Sequence, residues 1–228
     1  MQDTNSLQDE IRVSQKQVKN LPWSKRLEYY WGYYKYHFII IFLLALLFGN
    51  VLHGILTRRE TVLSIAYINA FPNIKDDIFI EDFEKYLNLN LKKQEVLLDS
   101  GYYISNDATS PQAATYHQKL STRCMAGLLD VVVADETNFI SYGKQGFFTD
   151  LRQILSPQQL EYYKDNLLYV EVKAPENLGS VPVGINVTDF PKVTATASYP
   201  SSNAYLGIIA GSTNREKAIS FLTFLEEQ

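Results

Sequence analysis

Hydrophobic positions follow three different patterns along the 228 residues. Residues 1–21 are polar, rich in Gln, Asn and Ser, and show no periodicity. Phe38 to Leu56 (FIIIFLLALLFGNVLHGIL) is an apolar run without a formal charge. From Val62 onward, short β-branched runs alternate with stretches whose apolar residues recur at helical spacing.

The apolar run comes first because it dictates a solvent. Nineteen helical residues rise about 28 Å, the thickness of a bilayer's hydrocarbon core. Trp23, Tyr29, Tyr30, Trp31, Tyr33, Tyr34 and Tyr36 precede it, and amphipathic rings favour the headgroup layer. Arg58 and Arg59 close the other side. A cleaved signal peptide fits poorly, since the preceding segment is long and no small-residue cleavage site follows. The expected organisation is a flexible cytoplasmic tail over 1–21, an aromatic juxtamembrane segment over 22–37, a transmembrane helix over 38–56 and an extracytoplasmic domain over 61–228. Lys19, Lys25, Arg26 and Lys35 before the span outnumber Arg58, Arg59 and Lys75 after it, which places the N-terminus in the cytoplasm. Asn50 and His53 are the polar residues inside the run, and such groups bond to a partner helix or reach the interface.

In the domain, Val62–Ile68 predicts a central strand. Phe79, Phe83, Tyr86 and Leu87 predict a helix with one apolar face. Glu95–Ile104 predicts a second strand. Ser110–Pro111 opens a helix running to about Gly127, Asp130–Ala134 predicts a buried strand, and Asp135 caps a helix over 136–143. Strand and helix alternate three times, which predicts crossovers and a mainly parallel, three-layer α/β sheet. Ser156 and Gln159 have capping-box spacing, as do Thr213 and Glu216. Tyr169–Lys173, Val181–Val187 and Ala204–Ala210 predict further strands. Residues 188–203, rich in Thr, Ser and Pro, predict a long loop. Ala218, Phe221, Leu222 and Leu225 mark a last helix.

Charge separates the two parts. Residues 1–60 carry eight Lys/Arg and five Asp/Glu, whereas 61–228 carry 13 and 20. An acidic domain without a basic stripe argues against nucleic acid as a partner. The single cysteine, Cys124, excludes an internal disulfide and shares a helix face with Ala113, Tyr116 and Leu120, which predicts a buried core thiol.

Catalytic raw material is sparse. His117, the domain's one histidine, falls mid-helix without a nucleophile elbow and reads as a solvated surface residue. No Gly-rich phosphate loop or HExxH is present, and no metal site or cofactor is expected. Asp130, Asp135 and Glu136 flank the third strand, and Asp135 and Glu136 fall where open α/β sheets hold ligands. Their simpler roles are helix cap and helix-dipole partner. Asp76 and Asp77 have the same explanation. Tyr142, Phe147 and Phe148 are candidates for stacking on a ligand or for core packing. Asn186–Val187–Thr188 matches a glycosylation sequon.

Two stretches resemble the extracellular solute-binding proteins of bacterial ABC transporters, the type 2 periplasmic-binding fold. The first is DVVVADETNFISYGKQGFFTDL, where Asp130, Gly146, Phe147, Asp150 and Leu151 occupy matching places. The second is IIAGSTNREKAISFLTFL, with Ser212, Asn214, Glu216, Ala218, Phe221 and Leu222. The N-terminal LPWSKRLEYYWGYYKYHFIII is similar to that of membrane-anchored proteins of Gram-positive gut bacteria. The resemblance implies one solute-binding-like lobe, because the 50 or so residues between Leu151 and Ala204 are too few for a second core.

The expectation is a membrane-tethered, non-catalytic binding or accessory module. Its partners would be the lipid bilayer, a membrane protein, or a small solute or peptide. Its contacts would be Asp135, Glu136, Tyr142, Phe147 and Phe148 on the domain and Asn50 and His53 on the membrane helix. A transporter receptor predicts a deep pocket, a carboxylate enzyme predicts three converging acids, and a structural subunit predicts partners held through residues 22–56.

Overall fold

The computed structural model describes residues 22–71, 76–105, 110–172 and 179–227. The tail expected over 1–21 lies outside them. The chain divides into two compact units after Arg58.

Among its described residues the first unit is one helix, α1 (Trp23–Leu56), of 34 residues. The aromatic segment and the apolar run are thus one continuous helix. Within it, Tyr34–Ile55 is long and apolar enough to cross a membrane, with 22 residues and a mean hydropathy of 2.4. This span opens four residues before the expected Phe38. Trp23, Trp31, Tyr34 and Tyr36 are exposed near its start, and Asn50 and His53 are exposed near its end. Thr57 stops the helix: its N–H and its hydroxyl both donate to the His53 carbonyl.

The second unit is built on β1 (Glu60–Ile68), α2 (Asp76–Tyr86), β2 (Gln94–Tyr102), α3 (Pro111–Met125), β3 (Val131–Asp135) and α4 (Glu136–Lys144). After a 3-10 turn at Leu151–Gln153 come α5 (Pro157–Tyr162), β4 (Leu167–Val172), β5 (Gly179–Asn186), α6 (Pro191–Thr196), β6 (Ala204–Ile208) and α7 (Arg215–Glu226). One six-stranded sheet has the order β2-β1-β3-β6-β5-β4.

The expectation of a mainly parallel sheet is corrected to a mixed one. Only β1–β2 and β1–β3 are parallel, while β3–β6, β6–β5 and β5–β4 are antiparallel. A parallel neighbour needs a crossover that carries the chain back to the starting edge. Helices α2 and α3 do this. The later connection from β5 to β6 contains only α6, whose six residues rise about 9 Å. It stays at one edge, so β6 runs back antiparallel. The same helix corrects the reading of 188–203 as a loop.

Helices cover both faces of the sheet, which makes the three layers. On one face Phe79 and Phe83 of α2 pack with Phe221 and Phe224 of α7, the Phe83 and Phe221 rings lying 5.0 Å apart. On the other, Leu120 of α3 and Phe139 and Tyr142 of α4 pack on Val132, Val183 and Tyr205. All but the first two residues of β1 are buried, as are the first four of β3. That is the signature of strands covered on both faces.

Most local signals act as read. Ser110 caps α3 by accepting from the Ala113 N–H, and Ser156 and Gln159 form the full capping box of α5. The capping box expected at Thr213 does not form. Helix α7 starts after Asn214, whose side chain makes no cap because it is directed to Asp130 instead.

A polar cluster ties α3 to the sheet. Lys119 and Arg123 both pair with Asp99, at 2.8 and 2.9 Å, and Arg123 also donates to Tyr102 Oη and Ser64 Oγ. Burial pushes the Asp99 pKa up, but the Lys119 ammonium, the Gly101 N–H and the Arg123 guanidinium outweigh it and hold it below the usual 3.8. A carboxyl whose folded pKa lies below its unfolded one adds stability above the unfolded value, and loses it as pH falls through the folded one. The unfolding midpoint in denaturant is therefore expected to drop as pH falls below about 4. Asp99→Asn removes that part of the acid dependence, which a denaturation series across pH measures.

Candidate functional site

Strand β1 has β2 on one side and β3 on the other, so the chain departs in opposite directions from the gap between β1 and β3. In open α/β sheets that gap, at the carboxyl ends of the strands, is where ligands enter. Here the protein fills it with its own side chains. The fully buried Tyr199 hydroxyl lies 2.9 Å from the carbonyls of both Ile68 and Val133, so its proton is shared across the two strands. Burial holds its pKa well above the tyrosine value, which keeps it a donor.

Asn69, just past β1, adopts the left-handed conformation at φ 56°. Asparagine tolerates this better than other side-chain-bearing residues. Its amide donates to the Ile104 carbonyl and to Asp135 Oδ2, each at 2.9 Å, and accepts from the Ile104 N–H at 2.7 Å. Asn138 donates to Asp135 Oδ2 as well. Asp135 Oδ1 caps α4 by accepting from the Asn138 N–H. The gap is thus closed by an Asn69–Asp135–Asn138 network.

Outside this seal lies an open groove of about 530 Å³. Asp135, Glu136 and Thr137 line one side, and Thr188 and the Tyr199–Asn203 turn line the other. Asn203 Nδ2 bridges the walls by donating to Glu136 Oε2 at 3.1 Å. Hydroxyls and carboxyls dominate the rim. Thr188 accepts from the Ala204 N–H and is itself bound to Asn186 Oδ1, so the sequon asparagine is engaged in its own turn.

The groove brings Asp135 and Glu136 together and leaves out the three aromatic candidates. Tyr142 is buried at 1% exposure and bonds to His117 Nδ1. Phe148 is buried and stacks on Phe139, with ring centroids 4.3 Å apart. Phe147 is half-buried against Tyr142 at 5.0 Å. All three pack in or against the core, on the α4 side. His117 is half-buried with Tyr142 as its partner, which corrects the reading of a solvated residue. Cys124 is half-buried at the margin of the same core, and burial pushes its thiol up to about 11, so it is protonated at neutral pH. Among the described residues, no three His, Cys, Asp or Glu side chains converge. The Asp76 and Asp77 side chains lie outside the described ones.

Asp130 has a role that its position before β3 did not reveal. It is buried at 4% exposure. One carboxyl oxygen accepts from the Ser64 N–H at 2.9 Å, the other from the Ser212 hydroxyl at 2.6 Å, and Asn214 Nδ2 donates to both. Asp130 opens the first stretch that carries the solute-binding resemblance, and Ser212 and Asn214 belong to the second. The two stretches therefore meet at one buried carboxyl. It sits at the amino end of β3, away from the groove.

Comparison with protein families, with curated proteins and with solved structures returns no match for this chain.

Proposed function

We propose that this protein is a membrane-tethered, non-catalytic binding or accessory module. One apolar helix anchors it in the bilayer, and the α/β domain recognises a partner at the carboxyl edge of its sheet. The observation that carries the reading is the closed gap between β1 and β3. A receptor that encloses a small solute needs a deep, water-excluded cavity. Tyr199 and the Asn69–Asp135–Asn138 network occupy that position, and what remains is a shallow polar groove suited to surface contact.

The single sheet supports the same reading. Residues between Leu151 and Ala204 add β4, β5 and α6 to the one lobe, so cleft closure between two lobes has no second partner among the described residues. The solute-binding resemblance is then one of ancestry in a lobe and not of hinge mechanism. The carboxyl pair Asp135 and Glu136 favours a partner presenting amide or cationic groups. On the membrane side, Asn50 and His53 are suited to hydrogen-bond a neighbouring helix. The excess of Lys and Arg before the span favours a cytoplasmic N-terminus and an extracytoplasmic domain.

The test is a photo-crosslinking residue at Asn203, on the groove rim, in the full-length protein in its native membrane. A discrete adduct that disappears with Glu136→Lys is expected. An adduct pattern unchanged by Glu136→Lys, or saturable stabilisation of the protein by a small solute alone, contradicts the reading.

A further inference from the structure

The two edges of the sheet differ in chemistry. At the carboxyl edge and its loops stand Asp135, Glu136, Asp165, Asp189, Glu226 and Glu227, against Lys164 and Lys192. At the amino edge the order reverses. The turn before β2 ends in exposed Leu91, Lys92 and Lys93, and the turn that follows β6 leads to exposed Arg215. Helix α4 ends there with exposed Lys144. The turn before β3 exposes Met125 at 83% and Leu128 at 62%, two large apolar side chains. Glu60, half-buried Glu95 and Glu216 are acids at these turns, and exposed Glu171, near the end of β4, stands on the same edge four strands away from β1. In a domain with seven more acids than bases, this edge brings four exposed cations together with exposed apolar tips.

Chain connectivity says what this edge meets. Only Thr57, Arg58 and Arg59 separate the end of α1 from the start of β1. Four residue steps span at most about 14 Å. The amino end of β1 is therefore within that distance of the point where the apolar helix ends, whatever angle the two take. Lys93 is at the amino end of β1 too, because the Glu60 N–H donates to its carbonyl at 2.7 Å. Arg123 of α3 reaches Ser64, four residues along β1, which brings the Met125–Leu128 turn close to the same level.

We propose that the amino edge of the domain, centred on Leu91–Lys93 and Met125–Leu128, docks on the surface of an anionic lipid bilayer. Lysine and arginine side chains are drawn to anionic headgroups within a Debye length, and apolar tips beside them insert at the acyl boundary. The docked edge fixes the domain's direction. Strand β1 has nine residues, about 30 Å, so the polar groove at the opposite edge is held about that far from the lipid and faces away from it. The inference rests on the tether reading, since a chain without a membrane helix has no reason to present this edge to lipid.

The test uses the full-length protein in nanodiscs of phosphatidylcholine alone or mixed with equal parts of phosphatidylglycerol, read by amide hydrogen exchange. Exchange at 91–93 and 126–128 is expected to slow several-fold in the anionic discs. The slowing disappears in about 0.5 M salt and in a Lys92→Glu/Lys93→Glu variant, while 200–203 exchanges alike in both lipids. Equal exchange in the two lipids overturns the docking, as does slowing at 200–203 or slowing that grows with protein density in the disc. The salt arm decides on the wild-type chain alone, should the variant fold poorly. A chain that does not enter nanodiscs at all overturns the tether reading instead.

Discussion

Asp130→Ala is expected to lower the stability of the α/β domain by about 4 kcal/mol. The carboxyl group is buried and accepts from the Ser64 N–H, the Ser212 hydroxyl and the Asn214 amide. Removing it leaves these donors in a space closed to solvent, and each unpaired buried group costs about 1–3 kcal/mol. The total approaches the net stability of a typical domain, about 5–15 kcal/mol. Three elements then lose their common anchor: β1, the start of β3, and the turn into α7. Asp130→Asn keeps the volume and one acceptor but turns an N–H₂ toward existing donors, so about half the loss is expected. Both Trp residues, Trp23 and Trp31, lie in α1, so pulse proteolysis of the domain in a urea series is the suitable readout. An Asp130→Ala midpoint equal to that of wild type contradicts the anchor role.

Gly207→Ala is expected to destabilise the domain by about 3 kcal/mol. A Cβ at Gly207 would lie 2.7 Å from Phe139 and 2.8 Å from Phe148. At Gly184 on the neighbouring strand it would lie 2.5 Å from Phe139. The two glycines form a trough in the sheet in which the Phe139 ring rests, stacked on Phe148 and wholly buried. The ring has no room to retreat, because both of its sides are in contact. The cause predicts its own rescue: Phe139→Leu alone destabilises, yet combined with Gly207→Ala it recovers part of the loss. The double-mutant cycle in the same urea series is expected to give a coupling of about 1–2 kcal/mol. Additive losses would mean that the clash is not the cause.

What the sequence made legible follows from how local each signal is. Periodicity located the strands and the longer helices but not α6, and Ser110, Asp135 and Ser156 marked helix starts because capping involves only the next few residues. The mixed direction of the sheet was not legible, since it depends on whether the connection over 187–203 crosses the sheet or turns back. The trough of Gly184 and Gly207 was hidden for the same reason: two glycines on different strands acquire meaning only once β5 and β6 are neighbours. Asp135 and Glu136 were found at the carboxyl edge by strand order alone. Tyr199 and Asn69, which seal the gap beside them, were missed. Tyr199 sits in a stretch rich in Ser, Thr and Pro that reads as loop, and its partners are 131 and 66 residues away. Asn69 carried a usable local signal, an Asn directly after an apolar strand, where a left-handed residue is common. Of the two roles open to Tyr142, Phe147 and Phe148 in the sequence, the structure shows the packing one.

Everything functional depends on the solvent of Tyr34–Ile55. Flotation of membranes from expressing cells on a sucrose gradient, after an alkaline carbonate wash, addresses it directly. The full-length chain is expected to float with lipid after the wash and to leave it only in detergent. Recovery of the chain in the wash supernatant, monodisperse and free of lipid, would contradict it.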